Sequence, residues 1–356
     1  MKRFRSEALT EALRLVAPGT ALREGIDRVL QARMGALIVV GAGPDVLSLC
    51  SGGFLLDAEF SPQRLSELAK MDGAIVLAAD TSRIARANVH LVPDPDIPTS
   101  ETGTRHRTAE RVARQIDVPV VTVSEELSVV AIYCEGKKYS LESIARVLGR
   151  ANQALTTLGR YKARLDRVAA QLSALEIEDL VTLRDVASVL QRAEMVRRIS
   201  EEVDEYVIEL GTDGRLIGLQ RDELVAGSKS EHLLVVKDYV RDCTDADLRA
   251  VLGRLARLED ESVLDLREVA AALSSSHAVA LDASVQPRGF RLLEKIPRLP
   301  APLVEQLVDR FGTLGKIMRA SMSDLVAVDG VGEVRARAVK EGLSRLAETS
   351  ILDRYN

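Results

Sequence analysis

From Leu141 onward the apolar residues Ile144, Leu148, Ala151, Leu155, Leu158, Leu165, Val168, Leu172 and Leu175 step mostly by three and four. That period predicts one long amphipathic helix, or two nearly continuous ones, of the kind that joins a bundle while linking domains. Such an element splits the 356-residue chain. Before it, strand and helix patterns alternate; after it, helical patterns dominate.

In the leading part, apolar spacing predicts helices over residues 6–16 and 20–33, then a buried strand, Ala36 to Val40. Gly41-Ala42-Gly43-Pro44-Asp45-Val46 follows and is similar to a dinucleotide fingerprint. Val46 replaces the third small residue, and Val46 to Cys50 alternates like a strand. A tight turn between strands is therefore expected, with a Rossmann oxidoreductase only a minor alternative. Further signals are a turn at Ser51-Gly52-Gly53, a Ser61-capped helix to Lys70, strands over 75–79 and 84–92, and a helix from Arg105 to Gln115 capped by Thr104. A strand over 118–123 and a hairpin around Glu135-Gly136 complete a mixed sheet with helices on its faces. The expected fold class is an α/β domain over residues 1–140, a mainly helical spine over 141–287 and an all-α domain over 288–356. Within the spine, helical pattern covers 178–203 and resumes at about 245–273, with a hairpin expected around Gly211-Thr212-Asp213-Gly214. His232 and His277 lack neighbours at ligand spacing and read as exposed or structural.

Composition narrows the function classes. Aromatics are 3% with no Trp, so the cores are aliphatic and a base-stacking platform is a poor fit. Cys50, Cys134 and Cys243 are far apart and odd in number, as expected of three buried reduced thiols rather than a disulfide framework. The basic start, Met1 to Arg5, runs into Glu7 and Glu11 without an apolar segment, and no uncharged run reaches membrane-span length, so a cytoplasmic protein is expected. Residues 288–356 hold 12 basic and 9 acidic side chains, leaving a net −8 on residues 1–287. A modestly basic tail on an acidic body points toward a phosphate backbone.

That tail contains Val328-Asp329-Gly330-Val331-Gly332-Glu333-Val334-Arg335, the Gly-apolar-Gly turn of a helix-hairpin-helix. Glycines let the turn approach a phosphate, and the following helix offers its N-terminus. Gly330, Val331 and Gly332, with Arg335, Arg337 and Lys340 beside them, are the candidate DNA contacts. Ile296-Pro297-Arg298-Leu299-Pro300 occupies the place of a first hairpin, but Arg298 and Pro300 stand where glycines are expected.

Two stretches remain: Met71-Asp72-Gly73-Ala74, and Gly103-Thr104-Arg105-His106-Arg107-Thr108-Ala109-Glu110. Asp-Gly is a common turn pair, but cations in a helix's first turn oppose its dipole and ask for a bound anion. Together the two stretches resemble the diadenylate cyclase family, and the domain order is similar to that of its DNA-integrity-scanning members over essentially the whole chain. The resemblance implies condensation of two ATP into cyclic di-AMP and two pyrophosphates, in a homo-octamer with face-to-face cyclase domains. It also implies a DNA-binding tail that senses branched DNA.

On that reading Asp72 holds Mg2+ or Mn2+ at the triphosphate, since a carboxylate is a poor base near neutrality. Arg105, His106 and Arg107 position ATP and neutralise its phosphates. Gly73, Ala74, Leu91, Thr104, Thr108 and Ser124 fall at nucleotide-contacting positions by the same resemblance. The alternative is a DNA-binding scaffold whose nucleotide domain senses ATP without turnover.

Overall fold

The computed structural model describes residues 5–125, 129–240, 244–274 and 280–355. In chain order the elements are α1 (Glu7–Leu15), α2 (Ala21–Gln31), β1 (Ala36–Val40), α3 (Pro44–Ser48), β2 (Cys50–Ser51), β3 (Phe54–Glu59), α4 (Pro62–Leu68), β4 (Ala74–Leu77), β5 (Arg83–Leu91), α5 (Thr104–Gln115), β6 (Val120–Val123), β7 (Val130–Cys134) and β8 (Lys137–Ser140). Then come α6 (Ile144–Glu178), α7 (Leu183–Leu210), a 3-10 turn (Gly211–Gly214), α8 (Arg215–Val225), α9 (Ser228–Tyr239), α10 (Asp245–Arg257), α11 (Asp260–Leu264) and α12 (Leu266–Ser274). The chain closes with α13 (Phe290–Glu294), α14 (Ala301–Phe311), α15 (Leu314–Arg319), α16 (Met322–Val326) and α17 (Glu333–Tyr355).

Two compact units result: Met1–Gln153 with Glu202–Leu219, and Ala154–Glu201 with Gln220–Asn356. The first holds a mixed sheet of order β2-β5-β4-β1-β6-β7-β8, with β3 also paired to β5. Among these pairs β1 and β4 run parallel and the others antiparallel. The alternation of β1 assigns its side chains to opposite faces. Ile38 and Val40 pack with α1, α2 and α4, whereas Leu37 and Val39 pack with Ala109, Val112 and Ala113 of α5. The second unit is helical, and its C-terminal end has its own core of Leu292, Leu293, Val304, Leu307, Ile317 and Val339. Among the described residues no helix is long and apolar enough to cross a membrane.

Several local expectations are corrected. After β1 the chain opens a short helix, because Pro44 at the first helical position has its φ preset and Gly43 serves as cap. Ser51-Gly52-Gly53 is no reversal. Cys50 pairs with Leu91, Ser51 with His90 and Phe54 with Ala87, so β2 and β3 continue one edge strand past a glycine interruption. Thr104 is the first residue of α5, and Gly103 occupies the cap without a side-chain bond.

Gly211 to Gly214 forms the 3-10 turn between α7 and α8, not a hairpin; a Cβ on Gly211 would sit 2.2 Å from the Pro18 carbonyl oxygen. α8 and α9 fill a region whose helical pattern was too weak to read. Cys134 is buried as expected, Cys50 only half so, and Cys243 and His277 lie outside the described residues. His232 is buried.

Candidate nucleotide site

The registers bring four strand ends together. Leu37 of β1 lies beside Ala74 of β4, Ala74 beside Val89 of β5, and Ala36 of β1 beside Val123 of β6. The starts of the parallel pair thus meet the finishes of β5 and β6, and the first turn of α5 joins them at an open cleft of about 500 Å³. That volume falls in the range of about 300–1,000 Å³ common for small-molecule sites. Gly41-Ala42-Gly43 follows the opposite end of β1, the end at which Rossmann folds bind dinucleotides, so the fingerprint-like glycines and the cleft are separate features.

Of the residues singled out in the sequence, Gly73, Ala74, Leu91, Thr104, Arg105, His106, Thr108 and Ser124 line the cleft. Asp72, exposed, immediately precedes Gly73 but is not among the lining residues, and neither is the exposed Arg107. Sequence reasoning missed Leu37, Val89, His90, Gly103 and Glu125, which also line it. Gly73 has a local reason for being glycine: at φ 99° its Cα faces the Asn88–Val89 backbone, where a Cβ would come within 2.9 Å of Asn88 C and Val89 O. Asn88 itself is left-handed, with φ 53°, so a bulge in β5 presses against the turn that presents Asp72.

The first turn of α5 has no acidic residue and no side-chain cap. Its free N–H groups and Arg105 therefore favour an anion at the same point. Arg105 lies over Gly35: a Cβ there would meet the guanidinium at 2.2 Å. Gly35, unremarked in the sequence, vacates this space. Among the described residues the half-buried Arg105 side chain has neither a hydrogen bond nor an ion pair.

His106 is anchored from behind, its Nδ1 lying 3.0 Å from the Tyr133 hydroxyl and 3.2 Å from the Thr122 hydroxyl. Burial, then the positive charge of Lys138, holds its pKa below the usual imidazole value, with Glu101 opposing and Arg105 adding a lesser push downward. Glu110, buried on the next turn, accepts from Thr99 Oγ1 at 2.6 Å, from Ser100 N at 3.0 Å and from Arg114 at 2.6 Å. Burial alone would raise its pKa, but these donors bring it below the ordinary carboxylate value. They also fasten the 99–101 segment to α5.

Among the described residues no group of three or more His, Cys, Asp or Glu side chains forms a metal cage. A single exposed carboxylate such as Asp72 fits Mg2+ that takes most of its oxygens from water and substrate phosphates.

In the helical unit, Gly330 is left-handed at φ 76° and Arg298, in the corresponding turn, is left-handed at φ 64°. The two turns share a backbone shape although only one uses glycine. Val331 is buried in the local core, so only its backbone is available to a partner. Arg335 Nη1 donates to Gly330 O at 2.7 Å and Lys340 Nζ to Met318 O at 2.9 Å, while Gly332 and Arg337 are exposed.

Residues 23–138 match the family described as DisA bacterial checkpoint controller nucleotide-binding, and residues 141–281 match the DisA linker region. The DNA integrity scanning protein DisA of Frankia casuarinae is 58% identical over 345 residues, covering 96% of both chains. Its counterpart from Streptomyces coelicolor is 57% identical over 348 residues, 97% of this chain and 93% of the relative. That of Kineococcus radiotolerans is 58% identical over 351 residues, 98% of each.

Proposed function

The chain belongs to the DisA family of DNA integrity scanning proteins, and from that membership we propose that its sheet domain is a diadenylate cyclase that condenses two ATP into cyclic di-AMP and two pyrophosphates. The observation that carries the reading is the acid-free start of α5, with an uncommitted Arg105, opening into the cleft beside Gly73. Such a site suits a triphosphate. Arg105 and the first-turn N–H groups hold the phosphates, with Arg107 available from the rim. Thr104, Thr108 and Ser124 offer hydroxyls, while Ala74 and Leu91 supply apolar contact for the base. Mg2+ or Mn2+ at Asp72 would neutralise charge on the triphosphate and its leaving group.

Each 3′-hydroxyl must attack the α-phosphorus of the other ATP in line with the departing pyrophosphate, a reaction governed by positioning and charge neutralisation. One cleft cannot close the ring. Two copies related by a two-fold axis can, as part of a homo-octamer with facing cyclase domains. The segment from residue 288 is read as a helix-hairpin-helix domain behind a 141–287 spine, binding branched DNA without sequence preference and suppressing the cyclase when occupied. The paired left-handed turns at Arg298 and Gly330 support that reading, and the exposed Gly332, Arg335 and Arg337 would be the contacts offered to the DNA backbone. Such a protein would work in the cytoplasm.

Purified protein given ATP with Mg2+ or Mn2+ is expected to yield cyclic di-AMP by mass spectrometry, and Asp72→Asn to abolish it while ATP still binds. Unchanged ATP with both metals would refute the cyclase. Binding of ATP and DNA without turnover would instead identify a scaffold with an ATP-sensing domain.

A further inference from the structure

In the helical unit, α9 starts from Gly227, left-handed at φ 75°, and no side chain caps it. The N–H groups of its first turn have no carbonyl partner within the helix. A Cβ on Gly227 would meet nothing within 4 Å, so the space outside the turn is open. That space belongs to a cleft of about 300 Å³ lined by α6, by the start of α9 and by Lys295, which follows α13. All of these residues lie in one compact unit.

Two side chains lining the cleft have unmet demands. Ser228, the first residue of α9, is only 7% exposed, and its Oγ has no hydrogen-bond partner among the described residues. Such an orphaned buried hydroxyl is destabilising and calls for an explanation. Lys295 Nζ donates to Ser173 Oγ at 3.0 Å and, among the described residues, meets no carboxylate. The other charges on the walls are matched: Lys162 pairs with Asp166 at 2.5 Å, and Glu231 with the Arg291 guanidinium at 2.5 Å.

From these groups we infer a binding site for a small phosphate oxyanion, held by the first-turn N–H groups of α9, the Ser228 hydroxyl and the Lys295 ammonium. The site is independent of the cyclase cleft and of its reaction. A tetrahedral phosphate offers acceptor oxygens in several directions and so takes backbone, hydroxyl and ammonium donors at once. The Asp166 and Glu231 carboxylates on the same walls tolerate one small anion seated at the helix start but oppose a polyanionic strand lying along the cleft. Bound there, phosphate bridges α9 to the residue that leads into the Ile296–Pro300 turn, and so tightens the seat of the C-terminal helices.

Equilibrium dialysis of radiolabelled inorganic phosphate against the full chain is expected to show saturable binding at this site that persists in Arg105→Ala, where the nucleotide cleft is altered. Lys295→Gln should weaken it about 10- to 150-fold and Ser228→Ala about 2- to 12-fold, the ranges for losing a charged and a neutral hydrogen bond. Lys295→Arg keeps the charge and should retain binding. In phosphate-free buffer Ser228→Ala is expected to melt no lower than the wild type, because it removes a hydroxyl that bonds nothing. Phosphate at ten times its Kd should then raise the wild-type midpoint about 3–6 °C more than that of the double variant carrying Lys295→Gln and Ser228→Ala.

No saturable binding up to millimolar phosphate overturns the site, as does binding that is unchanged in the double variant. Binding lost in Arg105→Ala but kept in Lys295→Gln places the phosphate in the nucleotide cleft and overturns it equally. Loss of DNA affinity in Lys295→Gln without any phosphate binding would assign the cleft to a DNA contact instead.

Discussion

Replacing Arg291 by methionine tests what fastens the C-terminal helices in place. The guanidinium is fully buried and binds Glu176 at 2.6 Å, Glu231 at 2.5 Å and the Ala169 carbonyl at 3.1 Å. Asp238, from α9, accepts the backbone N–H groups of Gly289, Phe290 and Arg291 at 2.6–2.9 Å, capping α13. Methionine fills much of the volume but leaves Glu176, itself fully buried, with the Tyr239 hydroxyl at 2.7 Å as its remaining partner. Glu231, partly exposed, can turn toward water. An uncompensated buried charge costs about 3–5 kcal/mol. For a folding unit of about 150–250 residues that corresponds to a melting transition about 6–20 °C lower. Calorimetry on the full chain measures it, and adding Glu176→Gln is expected to recover part of the loss by removing the stranded charge. A midpoint for Arg291→Met within about 2 °C of wild type, less than 1 kcal/mol by the same scaling, would refute the reasoning.

Arg105→Ala is expected to weaken binding of a non-hydrolysable ATP analogue about 10- to 150-fold, the loss of one charged contact of about 1.5–3 kcal/mol, read by titration calorimetry; Arg105→Lys should restore only part, since an ammonium lacks the planar fork. His232 is buried with no partner for Nε2 among the described residues, and burial, then Arg197, lowers its pKa to about 4. The folded state therefore binds fewer protons than the unfolded one. Stability from this group is present above pH 6.5 and is lost toward pH 4 at up to about 1.4 kcal/mol per pH unit; urea melts at pH 7 and 5.5 should show the loss, and His232→Phe should flatten it. Arg337→Glu is expected to weaken DNA binding uniformly across sequences and to reduce its log-log salt slope by about 1 or more, measured by fluorescence anisotropy. Point changes are preferable to deleting residues 288–356, which would uncover Glu176 and Asp238.

The sequence by itself determined the parts of this protein that depend on neighbours along the chain. The strands at 36–40, 74–77 and 130–134, the capped helix after Ser61, the Glu135-Gly136 turn and the helical stretch from Ile144 all follow local period and turn chemistry, although only the structure shows that stretch to be one helix, Ile144–Glu178. The Asp-Gly and Arg-His-Arg stretches were legible as motifs, and the structure lines the cleft with Gly73, Arg105 and His106 from them but not with Asp72 or Arg107. Where local signals competed, reading failed: alternation at Val46 to Cys50 suggested a strand, yet Pro44 and the burial of Val46 decided for a helix. Gly52-Gly53 looked like a reversal, yet β5 holds both flanking segments in one register.

Only the tertiary structure decided how the site is supplied. Gly35 makes room for Arg105, Tyr133 and Thr122 reach the back of His106, and Arg291 finds Glu176 at a separation of 115 residues. Periodicity is written in adjacent residues, whereas these contacts depend on strand order and register. Those are fixed only when the two faces of the sheet are buried together.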